Sequence, residues 1–189
     1  METEKNTLDR FLDNYRKVQR VLLIKSPTLK YDNLDFKAHK KSGYMTYPPI
    51  EITTLAATLR EKLPDIDLKL YDAEYETLVS LYKGKKLENI LENSIKDELE
   101  RFKPDLVGIN CLFSGVFPDV LAFARTVKSH SPDLKIAVGG IHPTTFPKEI
   151  LSNCKDIDYV AIGEGENTMV ALAASIKAKN ENLLSSIKA

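Results

Sequence analysis

Two short runs, GGIHPT at Gly139 to Thr144 and GEGENT at Gly163 to Thr168, each follow an apolar stretch, IAV and DYVAI respectively. Such positions are where a parallel α/β sheet exposes its strand ends, and loops at those ends form ligand crevices. Gly139 and Gly140 lack a Cβ, so the backbone can turn sharply and approach a flat ring or a ribose, offering amide donors. A tight strand-to-helix turn would use the same pair. Ile141 and His142 continue the rim, and with no second histidine or cysteine at chelating spacing, His142 reads as a hydrogen-bonding residue rather than a metal ligand. Glu164, held between Gly163 and Gly165, can accept from a polar ligand edge; Glu166 can do the same, or simply favour a helix N-terminus. Asn110, Cys111, Leu112 and Ser114 offer small contacts after a third apolar run, or caps for the next helix, and Ser26 stands after the first run.

Several chemistries lack their residues. The G-x-G-x-x-T run follows the fifth apolar stretch instead of the first, so it is not the nicotinamide-dinucleotide fingerprint. A phosphoryl-accepting receiver domain needs an acidic cluster after its first strand and an aspartate after its third. Here those places hold Lys25-Ser26-Pro27 and Asn110-Cys111. Ser26-Pro27-Thr28 is a thin version of a flavodoxin phosphate loop, which leaves flavin as a competitor. There is no G-x-S-x-G elbow, H-E-x-x-H helix or P-loop. Cys111 and Cys154 fit neither a disulfide framework nor a metal-binding spacing and read as reduced thiols.

The elements that must position these loops follow from hydrophobic periodicity. Val21–Ile24 is a continuous apolar run, as in a strand buried on both faces; Leu68–Tyr71, Leu106–Ile109, Ile136–Val138 and Tyr159–Ile162 repeat the signal. Helical spacing appears in Ile50, Ile52, Leu55, Ala56 and Leu59 after Pro48-Pro49, in Leu87 to Leu99, in Val120 to Val127, and from about Glu166 to Lys177. The stretch between Ala73 and Lys86 reads as variable. Strands alternating with helices imply a doubly wound parallel sheet. Its expected order is the flavodoxin-like (Rossmann-like) 2-1-3-4-5, with a switch point between the first and third strands.

The boundaries expected are an amphipathic leader helix at 1–19, an α/β domain at 20–178, and a tail at 179–189 that reads as the start of something further. A long stretch carrying Tyr31, Phe36, Tyr44 and Tyr47 separates the first strand from the first domain helix and reads as functional or mobile. Lys plus Arg and Asp plus Glu number 27 each, so no strong field draws nucleic acid or an anionic membrane. With 43% hydrophobic residues the chain can bury a sizeable core. The charged N-terminus and the absence of a long apolar stretch lead to an expectation of a soluble, cytoplasmic protein.

Taken in order, Val21-Leu22-Leu23-Ile24, Pro48-Pro49-Ile50 with Leu55-Ala56-Ala57, Pro104-Asp105-Leu106-Val107-Gly108-Ile109, Gly139-Gly140-Ile141-His142-Pro143-Thr144 and Asp158 to Glu166 resemble one family. It is the N-terminal cobalamin-binding domain of cobalamin-dependent radical S-adenosylmethionine enzymes, and the likeness covers roughly residues 20–178. The resemblance implies that the benzimidazole tail of cobalamin enters the crevice while the corrin faces a second domain. It places Ser26, Asn110 to Leu112, Ser114, Gly139 to His142 and Gly163 to Gly165 around the cofactor. Corrinoid domains that ligate cobalt carry D-x-H-x-x-G after the first strand. Here Lys37-Ala38-His39-Lys40-Lys41-Ser42 lacks both the aspartate and the glycine, so no cobalt-ligating residue is assigned.

S-adenosylmethionine and a four-iron cluster would belong to a further domain, because two distant cysteines cannot hold that cluster. The implied partner is therefore a radical S-adenosylmethionine catalytic domain, in the same chain or separate, in an enzyme of methyltransferase or cyclase type. The alternative is a cofactor-free interaction domain of the same fold, packing on a catalytic partner through residues 31–47.

Overall fold

The computed structural model of the chain describes residues 20–28, 47–85 and 90–175. The expected leader helix, nearly all of the tyrosine-bearing stretch with His39, and the tail lie outside the described residues.

Five strands form one parallel sheet: β1 Arg20–Lys25, β2 Asp67–Asp72, β3 Leu106–Asn110, β4 Lys135–Gly139 and β5 Tyr159–Val160. Their order is β2-β1-β3-β4-β5, every pair parallel, as the alternating pattern requires. β1 and β3 are central, and Val21 to Ile24 and Leu106 to Ile109 are buried on both faces. Each such leucine or isoleucine contributes about 1.5–3 kcal/mol relative to leaving it in water.

Strand parity splits the core in two. Val21, Leu23, Leu106 and Ala137 pack beneath helices α1 (Ile50–Lys62) and, at the C-terminal end of the described chain, α7 (Glu166–Ser175). Leu22, Ile24, Val107, Ile109, Ile136 and Val138 pack beneath α3 (Ile90–Phe102) and α4 (Phe117–His130). The sheet is thus doubly wound. No helix among the described residues is long and apolar enough to cross a membrane.

Four elements depart from the periodicity. The stretch after β2, read as variable, begins with helix α2 (Ala73–Tyr82), for which Asp72 is the N-cap: its Oδ1 accepts from the backbone N–H groups of Glu74 and Tyr75 at 3.0 and 3.1 Å. An aspartate ahead of such a segment is a start signal that the weak apolar pattern obscured. Two short helices, α5 (Ile141–Thr145) and α6 (Pro147–Asn153), lie between β4 and β5. β5 ends at Val160, and Ile162, expected within it, is half exposed.

Asp158 ties β5 to its neighbours. Its carboxylate accepts from Lys128 Nζ at 2.8 Å, the Ile136 N–H at 2.9 Å and Lys135 Nζ at 3.1 Å. Burial pushes its pKa up, but the hydrogen bonds from Lys128, the Ile136 N–H and Lys135 outweigh this and hold it below the usual aspartate value. A carboxylate depressed in the folded state stabilises fully above its unfolded pKa, near ~4, and loses that contribution as pH falls through the lower folded value. Asp158→Asn is therefore expected to lower stability at pH 7 by about 2 kcal/mol, and to lose less stability than wild type on acidification below about pH 4. Urea titrations at pH 7 and pH 3 measure both, and parallel losses in the two proteins would contradict the assignment.

Candidate functional site

The register aligns the last residues of four strands. Lys25 lies opposite both Asp72 and Asn110, and Asn110 lies opposite Gly139, which makes a polar row along the carboxyl edge of the sheet. Where β1 and β3 part, Asn110 Oδ1 accepts the Ser26 N–H at 2.8 Å and bridges the strand ends. Beside it, Lys25 is 2% exposed; its Nζ lies 3.4 Å from Asp72 Oδ2 and 3.9 Å from Glu74 Oε2, and donates to the Tyr47 carbonyl at 3.5 Å. Glu74 Oε2 also accepts from the N–H and hydroxyl of Thr28. The ion cluster therefore grips both flanks, Thr28 and Tyr47, of the stretch between them.

With the β1 side bridged, the crevice opens over β3 and β4 on the α1/α7 face. It is a cavity of ≈ 460 Å³ whose wall is mostly apolar. Leu23, Gly108, Ala137 and Met169 lie along it from the sheet and α7, and α1 adds Glu51, Ile52, Thr54 and Leu55. Gly108 keeps this side low: a Cβ there would lie 2.8 Å from Leu23 Cδ2 and 3.2 Å from Met169 Cε. Gly140 adopts φ 113°, and a Cβ would come within 2.6 Å of the Cys111 carbonyl oxygen, so this turn into α5 requires glycine. The Gly163 N–H donates to Thr144 Oγ1 at 3.0 Å, linking the loop after β5 to α5.

Of the residues expected from sequence, Asn110, Leu112, Gly139, Gly140, Ile141, Gly163, Glu164 and Gly165 line this cavity. Four stand outside its wall. Ser26 is buried next to the Asn110 bridge. Cys111 is fully buried in the core on the opposite face of the sheet, where burial pushes its thiol up to about 12. Ser114 and His142 bond each other, Oγ to Nδ1 at 2.9 Å, and the imidazole packs between Phe117 and Phe146 with centroids 4.4 and 5.1 Å away. Burial lowers the pKa of His142. Helical periodicity explains this placement: Ile141, Thr144 and Thr145 share the cavity side of α5, which turns His142 and Phe146 away. Neither Phe113, which is 55% exposed, nor Phe117 plugs the cavity.

Glu51, Thr54, Thr144, Thr145 and Met169 were not anticipated as wall residues. A usable signal existed for the first two, since the helix following β1 in a parallel sheet directs its N-terminus toward the carboxyl edge. The wall contains three carboxylate residues, Glu51, Glu164 and Glu166, and no lysine, arginine or histidine among the described residues. No group of three or more histidine, cysteine or acidic side chains able to hold a metal ion occurs among them either.

The B12 binding domain family model matches residues 41–173. Among curated proteins, the chain is 28% identical to an uncharacterized methyltransferase of Pyrococcus horikoshii over 165 residues, 87% of this chain and 31% of that protein. It is 29% identical over 91 residues to the anaerobic magnesium-protoporphyrin IX monomethyl ester cyclase of Rubrivivax gelatinosus, covering 47% of this chain and 16% of the cyclase. It is 33% identical over 79 residues to the cytidylyl-2-hydroxyethylphosphonate methyltransferase of Streptomyces wedmorensis, 42% of this chain and 15% of that enzyme. The matches thus span less than a third of the length of each of these relatives.

Proposed function

This chain belongs to the B12 binding domain family, and we propose that it is the cobalamin-holding module of a longer radical S-adenosylmethionine enzyme, of methyltransferase or cyclase type. The observation that carries this reading is the ≈ 460 Å³ crevice at the carboxyl edge, kept low at Gly108 and Ala137 and bounded by apolar side chains. Its size falls within the ~300–1,000 Å³ of small-molecule sites. Such a slot accepts a planar heterocycle, and the residues present fit the nucleotide foot of a corrinoid.

Ile52 and Leu55 on one wall and Leu23 and Met169 on the sheet side would enclose the base. The Thr54 and Thr145 hydroxyls donate to the Ile50 and Ile141 carbonyls at 2.9 and 2.8 Å, which leaves their oxygens to accept from a ligand. Thr144 Oγ1, which accepts from Gly163, keeps its proton to donate. Once bound, cobalamin supplies a cobalt centre that carries a one-carbon group or an electron. The chain's own residues would bind and orient the cofactor and keep water from its foot.

The same wall argues against flavin mononucleotide. A phosphomonoester placed here would face Glu51, Glu164 and Glu166, with no cationic side chain among the described wall residues. The phosphodiester of a corrinoid carries less charge and is compensated by cobalt within the molecule.

The test uses the chain as it stands. Hydroxocobalamin mixed in excess and then desalted is expected to leave its visible absorption with the protein at about one per chain, and a colourless protein fraction would overturn the reading. The assignment to a radical enzyme is supported by the relatives named as methyltransferases and a cyclase, each several-fold longer than its match. Its check is a C-x-x-x-C-x-x-C segment in the reading frame beyond Ala189 or in a separate protein that co-purifies with this one.

A further inference from the structure

One wall of the crevice is α5, which contributes Ile141, Thr144 and Thr145. A helix of five residues that starts from an uncapped glycine cannot hold its own direction, so the wall is oriented by what α5 touches. On the cavity side Thr144 Oγ1 accepts from the Gly163 N–H. On the far side the His142 N–H donates to the Cys111 carbonyl at 3.3 Å, and His142 Nδ1 lies 2.9 Å from Ser114 Oγ. Ser114 opens the 3-10 turn Ser114–Val116, which leads into α4. The imidazole spans from Phe117, the first residue of α4, to Phe146, which separates α5 from α6.

Burial does not account for the side-chain bond. Ser114 is exposed, so water would serve its hydroxyl, and a phenylalanine at position 142 would fill the aromatic stack as an imidazole does. What the histidine adds is a polar ring atom that fastens α5 to the loop after β3. Building on the cobalamin reading above, we propose that Ser114 and His142 are positioning residues for the cofactor: they stand outside the crevice, and their bond holds α5 so that Ile141, Thr144 and Thr145 meet the foot. A wall fixed in advance has less freedom to lose when the ligand enters, so the tether acts on affinity more than on stability.

The experiment measures Kd for hydroxocobalamin by equilibrium dialysis with absorbance detection on wild type, Ser114→Thr, Ser114→Val, His142→Phe and the double variant Ser114→Val/His142→Phe. Threonine and valine match in shape and differ in the hydroxyl. Ser114→Thr should bind within about two-fold of wild type, whereas Ser114→Val and His142→Phe should each bind about five- to ten-fold more weakly. The double variant should bind no more weakly than either single one, because both remove the same bond. Melting temperatures should stay within about 3 °C of wild type, as expected for one exposed hydrogen bond. Equal affinities for Ser114→Thr and Ser114→Val, additive losses in the double variant, or weakening by His142→Phe alone would overturn the tether while leaving the corrinoid site in place. Failure of the wild type to retain hydroxocobalamin would remove the cobalamin reading and this inference with it.

Discussion

Gly139→Leu is expected to abolish cobalamin retention while leaving the fold intact. Gly139 ends β4 on the same face as Ala137, the face under α1 and α7, and its backbone φ lies outside the left-handed region. A Cβ there would meet only Ala161 Cβ, at 3.4 Å, which is ordinary contact. The strand therefore tolerates a side chain, and that side chain must grow into the crevice lined by both residues. Occupying the slot should weaken Kd by about 100-fold or more, equivalent to ~2.7 kcal/mol. Gly115 provides the control, because a Cβ there meets nothing within 4 Å and the residue lies outside the cavity. Gly115→Leu should bind within about two-fold of wild type. Desalting and absorbance give the binding result, and circular dichroism reports the fold. Unchanged retention by Gly139→Leu would show that the foot does not enter this crevice.

Lys25→Ala is expected to produce the largest loss of stability, about 3–5 kcal/mol, because it removes a buried ammonium from between Asp72 and Glu74. Glu74 is fully buried, so its carboxylate cannot regain water without opening the structure. For a chain of this length the melting temperature should fall by roughly 10 °C or more. The exposed pair Lys96–Glu92, one helical turn apart at 2.7 Å, serves as the comparison; its deletion should cost only about 0.3–0.5 kcal/mol. A cycle with Glu74→Gln separates the charge pairing from the packing of the lysine stem. If Lys25→Ala cost less than about 1 kcal/mol, the cluster would have to be far better solvated than its burial indicates.

These two experiments fall on different sides of what the chain discloses locally. Gly139 was recognisable because a glycine pair after IAV occupies a strand end, and a strand end in a parallel sheet is a ligand edge. Lys25 was seen only as a departure from the receiver pattern. Nothing adjacent in sequence announces that Asp72 and Glu74, more than forty positions away, will enclose it. Helix α2 escaped notice for a related reason: its cap, Asp72, is also the last residue of β2 and a partner of Lys25, so one side chain serves three elements at once.

By itself the sequence determined the doubly wound sheet, the order of its five strands and the three loops at the carboxyl edge. These follow from continuous apolar runs, from period-3.6 burial and from the right-handed crossover, which are properties of short segments. Only the tertiary structure decided which face the crevice opens on, and therefore which rim residues reach it. Cys111 turns into the opposite core, His142 into an aromatic stack with Ser114, and the Asn110 bridge to Ser26 closes the β1 side. Glu51 and Met169, from the first and last helices of the described chain, both line the opening instead. A side chain's final direction depends on strand parity, helix phase and the pairing of distant polar groups taken together, and no window of neighbouring residues contains all three.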